Sequence, residues 1–118
     1  MRRSELEQLD DKLENRLNEL RDIELKLNSS QVQLFWENAD ESQRIEFFEQ
    51  RREIVILRSK LESAILEEIA NNLKLLDPQL QDGINNLNDE IASLENLVSF
   101  LSAISRVVGI ISRILVLI

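Results

Sequence analysis

From Leu97 to Ile118 the chain carries only two charged residues, Arg106 and Arg113, although the sequence before it is dense in charge. Such a stretch is not left bare in water: its own fold, a second chain or lipid must take up its apolar surface. Ser99, Ser102, Arg106, Gly109 and Arg113 recur every three or four positions, which on a helix makes one narrow polar stripe. The remaining circumference is apolar, including Phe100, Leu101, Val107, Ile110, Ile111, Ile114, Leu115 and Ile118. That is wider than the stripe a surface helix turns to its core, so something beyond a single neighbour must cover it.

Only one proline and two glycines interrupt 118 residues, and the composition favours helix throughout. Leu6, Leu13, Leu20, Leu27 and Leu34 fall seven apart, with Leu9, Arg16 and Ile23 as the offset row, a coiled-coil-like seam. The seam keeps phase to Leu34, which predicts one helix over about 3–37, bent at Asn28 to Ser30 where Ser30 and Gln33 resemble a capping box. Asp40, with Gln43 three residues on, predicts the N-cap of a second helix over about 41–76. Its inner row is Phe47, Ile54, Leu57, Leu61, Ile65, Leu73 and Leu76. Asp77 and Pro78 predict the next boundary, because proline suits a first helical turn and disfavours helix in the residue before it. A third helix then spans about 78–118. Short connections imply antiparallel neighbours. The fold class expected is therefore all-α: one domain, an elongated antiparallel three-helix bundle with coiled-coil-like seams, completed by oligomerisation.

A turn near Asp77 would set Leu97 to Ile110 beside Ile45 to Leu57, running in opposite directions. That part of the second helix is also apolar, with Phe47, Phe48 and the unbroken run Ile54, Val55, Ile56 and Leu57, and Phe35 and Trp36 reach the same level. The run points all around its helix, so this greasy end is expected to be a surface for self-association, most simply in a homodimer. The polar stripe of Ser99, Ser102, Arg106 and Arg113 would edge it. Arg16 and Glu68, charges in apolar rows, are expected to snorkel to solvent at the seam edge; the alternative is that they specify register or oligomer state.

The inventory for catalysis is thin. Without His or Cys, the common general base, the thiol nucleophile and the usual zinc ligands are missing, and the isolated Gly83 and Gly109 make no phosphate loop. No catalytic, cofactor or metal residue is assigned, and no enzyme activity is expected. A net charge of −8 without a basic patch argues against nucleic acid. Met1 leads into a charged helix, which does not read as a signal peptide. The function expected is a non-enzymatic structural or adaptor module, cytoplasmic, that self-associates and meets a protein partner. The alternative is a membrane-active or peripheral membrane protein whose C-terminal helix enters or lies on lipid, since 22 residues suffice to cross a hydrocarbon core.

Overall fold

The computed structural model describes residues 3–116, and within them five helices pack together: α1 (Arg3–Leu27), α2 (Ser30–Glu37), α3 (Glu41–Ser63), α4 (Leu66–Ser93) and α5 (Leu97–Ile114). The chain is all-helical, as expected, but every long helix of the three-helix reading is divided, and one expected boundary is crossed. Each difference has a physical cause.

Helix 1 stops at Leu27 because Asn28 and Ser29 offer the backbone competing side-chain bonds. Asn28 Nδ2 donates back to the Glu24 carbonyl at 2.9 Å, and the Ser29 hydroxyl caps α2 by accepting the Val32 N–H at 3.3 Å. The cap is thus Ser29, not Ser30. This break shifts the phase: Leu9, Leu13, Leu20, Ile23 and Leu27 are buried, but Leu34, next in the row, is 58 % exposed while Val32 and Trp36 turn inward. The Asp40 capping box forms as the sequence predicts. Its carboxylate accepts the Gln43 N–H and the Ser42 hydroxyl, each at 2.8 Å, and the Gln43 bond leads in holding Asp40 below the usual carboxylate pKa.

The second turn falls at Ala64 and Ile65 rather than at Pro78. In a continuous helix the buried row Phe47, Ile54, Leu57, Leu61 and the buried row Ile69, Leu73, Leu76, Leu80, Ile84, Leu87 would point about a quarter-turn apart. Breaking the helix between them lets both rows face one core. Pro78 then lies inside α4 with its ring exposed. An interior proline costs about 3 kcal/mol, whereas each large apolar side chain buried along α4 contributes about 1.5–3 kcal/mol. The apolar row wins, and α4 runs through the proline.

The third turn, Leu94 to Asn96, interrupts the expected long third helix. Leu94 adopts a left-handed conformation (φ 48°) and donates to the Glu90 carbonyl at 3.0 Å, while Asn96 caps α5 by accepting the Ser99 N–H at 3.0 Å. Folding back lets α5 pack against both α3 and α4, which covers its wide apolar circumference far better than a straight extension would.

Each of α1 and α5 packs against both α3 and α4, so the long helices close a ring in the order α1, α3, α5, α4, within 51 × 25 × 19 Å. Helix α3 runs antiparallel to α1, as the Arg58–Glu24 and Arg21–Glu62 bonds require. Helix α4 runs parallel to α1, joined by Arg16–Asp77 and Lys26–Asn88, and α5 runs antiparallel to α4, its carbonyl end held by Asn72 Nδ2. The apolar halves of the expected second and third helices do lie side by side, but they run parallel: Phe47 near the start of α3 meets Phe100 near the start of α5.

Arg16 does not snorkel. Its side chain is buried, with Nε donating to Asp77 Oδ1 at 3.0 Å and Nη1 donating to Glu19. Asp77, read from sequence as a boundary, is its buried counter-ion. Glu68 is exposed, as expected.

Candidate functional site

The greasy end is mostly the inside of the molecule. Of the residues expected to form an interface, Trp36, Phe47, Ile54, Leu57, Phe100, Val107, Ile110, Ile111 and Ile114 are buried in the core, and Phe35 and Leu115 are half-buried against it. Ile118 lies outside the described residues. Trp36 stacks on Phe47 at 4.6 Å between centroids, and Phe100 meets both edge-on at 5.5 and 6.0 Å. Such offset and edge contacts are the favoured aromatic geometries. A fourth long helix, gained when the chain folds back at Leu94 to Asn96 and lays α5 against both α3 and α4, is what makes this burial feasible. In the polar stripe of α5, Ser102, Arg106 and Arg113 are exposed, and Ser99 is half-buried.

Phe48, Val55 and Ile56 remain outside, and Ile45 joins them; they are 49, 38, 39 and 48 % exposed. On a helix of 3.6 residues per turn these four share the outer side of α3, opposite Phe47, Ile54 and Leu61. Helix α3 is therefore apolar on two sides, and only one meets the core. The outer stripe is flanked by Arg44 and Arg51 on one edge and by Glu46, Glu49 and Glu53 on the other, with Arg52 within it.

A cleft of about 340 Å³ opens where α2 leans on α3, lined by Gln33, Trp36, Glu37, Arg44, Phe47, Phe48 and Arg51. A shallower groove of about 530 Å³ continues along α3 between Asn28, Phe48, Glu49, Arg51, Arg52 and Val55. Phe48 and Arg51 form the ridge between them. The Arg51 guanidinium lies 5.1 Å from the Phe48 ring centre and 5.6 Å from that of Phe47, within the range of cation–π attraction. Among the described residues no carboxylate comes within ion-pair distance of Arg44, Arg51 or Arg52. By contrast Arg58, one heptad beyond Arg51, is held above its ordinary pKa first by its bond to Glu24. The indole Nε1 of Trp36, a residue that lines the cleft, is buried without a partner, as is Oε1 of Gln50 on α3.

The chemistry available is recognition through apolar contact and charge. Among the described residues no group of acidic side chains converges to hold a metal ion. Sequence reasoning missed Arg44 and Arg51; their seven-residue spacing around Phe48 was the available signal. Comparison with protein families, with curated proteins and with solved structures finds no match.

Proposed function

We propose that this protein is a non-enzymatic helical module that self-associates and serves as a structural or adaptor element, and that its contact surface is the outer side of α3. The observation that carries this reading is the two-sided apolarity of α3, with Ile45, Phe48, Val55 and Ile56 facing solvent while Phe47, Ile54, Leu57 and Leu61 fill the core. A second copy is a fitting occupant, because the stripe has free arginines on one edge and glutamates on the other, and one copy of the face supplies the charges another lacks. This narrows the surface from the whole greasy end to one helix. Light scattering tests it: the parent should exceed monomer mass at micromolar concentration, and Val55→Glu with Ile56→Glu should return it to monomer without loss of helicity. A monomeric parent, or a dimer indifferent to both substitutions, would refute the proposal.

The membrane reading has its own support in α5, whose residues Leu97–Ile114 have a mean hydropathy of 1.7 and suffice by length and composition to cross a bilayer. However, 44 % of that segment is buried in the bundle, and lipid entry would require α5 to leave it. Liposome flotation of the intact protein distinguishes the two: co-flotation with anionic vesicles would favour the membrane reading.

A further inference from the structure

The cleft between α2 and α3 combines aromatic walls with unmatched positive charge. Trp36, Phe47 and Phe48 line it, and Arg44 and Arg51 stand among them. Its volume of about 340 Å³ lies within the range that small ligands occupy, roughly 300–1,000 Å³. The chain has 22 acidic residues against 14 basic ones, yet among the described residues no carboxylate comes within ion-pair distance of either arginine, and Glu37, which also lines the cleft, is no exception. Arg44 and Arg51 fall four residues before and three after Phe48, so they flank its ring on one side of the helix. The Arg51 guanidinium rests over the rings of Phe48 and Phe47, at 5.1 and 5.6 Å from their centres. An arginine held in this way still has N–H groups to offer an anion. The wall holds one more donor: Trp36 is 1 % exposed and its indole N–H has no acceptor, although a buried indole N–H ordinarily finds one.

We infer that this cleft binds a small organic acid that carries one carboxylate on an apolar, aromatic-sized body. The carboxylate is taken by Arg44 and Arg51, whose planar forks match its two oxygens, and the body lies against the aromatic walls. A bond of this kind is stronger in a cleft partly closed to water than on an open surface. Glu37 sets the class of anion: it repels a doubly charged phosphate more than a single carboxylate. The aromatic lining in turn favours an anion with an apolar body over a bare ion. The cleft shares Phe48 and the arginine edge with the surface proposed for self-association, but the inference rests on the lining of the cleft and not on a second copy.

Trp36 is the only tryptophan and the chain has no tyrosine, so tryptophan emission reports on this cleft alone. Titration with phenylbutyrate, followed by emission and by calorimetry, is expected to saturate with a Kd on the order of 0.1–1 mM, the affinity of a small ligand with these contacts. The neutral isostere phenylbutanol should bind about tenfold more weakly, since it forgoes the charge-assisted bonds. Inorganic phosphate should leave the emission unchanged. Arg44→Gln and Arg51→Gln should each raise the Kd about five- to tenfold and flatten its dependence on salt. Arg51→Lys, which keeps the charge but not the fork, should fall between parent and Arg51→Gln. Arg113→Gln, in the last turn of α5, should change nothing, and circular dichroism checks that each variant is folded. Light scattering of the same solutions reads association through α3 separately, and Ile56→Glu, which keeps every residue lining the cleft, removes a second copy as cover. No saturable binding by the parent or by Ile56→Glu, binding of the alcohol as tight as that of the acid, or a Kd indifferent to both glutamine substitutions would overturn the inference. The expected binding by a protein that stays monomeric would uphold it while refuting the α3 dimer.

Discussion

Replacing Pro78 with alanine should stabilise this protein, and the sign of the effect tests the course of α4 directly. Within a helix, proline lacks the N–H that would bond the Lys74 carbonyl, and its ring crowds that same carbonyl. Host–guest scales place the difference between proline and alanine in a helix interior at about 3 kcal/mol. Lys74 and Pro78 are both exposed, so water partly satisfies the orphaned carbonyl, and a net gain of about 2–3 kcal/mol is expected. For a chain of this size that corresponds to a rise in Tm of roughly 6–15 °C. Urea denaturation followed by circular dichroism should show a higher midpoint with an unchanged slope, since the surface exposed on unfolding is the same. If Pro78 instead opened a helix, its fixed φ would help the fold, and alanine would cost about 0.4–1 kcal/mol through the unfolded chain. A midpoint that stays put or falls would refute an α4 continuous through Pro78.

The buried Arg16–Asp77 pair should show strong coupling: Arg16→Met alone, which leaves the buried Asp77 carboxylate without its partner, is expected to cost about 3–5 kcal/mol, whereas Arg16→Met combined with Asp77→Leu should come near neutral, because the penalty lies in stranding one buried charge. A denaturant double-mutant cycle checks this, and additive single effects would remove the pair's structural role. On the acid side, the folded protein holds Asp40 below its ordinary pKa through the Gln43 N–H, so its contribution is complete above the unfolded carboxylate value and disappears as pH falls through the folded one. Asp40→Asn keeps a capping oxygen without that titration, and Tm measured against pH should fall less steeply on the acid side than in the parent; parallel profiles would remove Asp40 from the acid response.

Helix content, the core-facing rows and the Asp40 cap follow from nearest-neighbour chemistry and hydrophobic period, which act within a few residues and are therefore legible in the chain itself. Phe47, Ile54, Leu57, Leu61, Leu80, Ile84 and Leu87 are buried as their spacing implies. The exposed side of Ser102, Arg106 and Arg113 was legible for the same reason. The places where the chain turns were not. Asn28 and Ser29 break a heptad that stays in phase on paper, Pro78 sits inside a helix it would ordinarily end, and Leu94 reverses a pattern that runs straight on. At each of these positions the local preference is worth a few kcal/mol at most, less than burying a whole helix face, and a face's burial depends on which neighbours the folded chain supplies. The same competition decided the candidate site. Sequence put Ile54 and Leu57 in the inner row of their helix and marked the whole run Ile54 to Leu57 as apolar; only the packing of α1 and α5 against α3 determined that Val55 and Ile56, with Phe48 and Arg51 beside them, are left facing water while no other helix covers them.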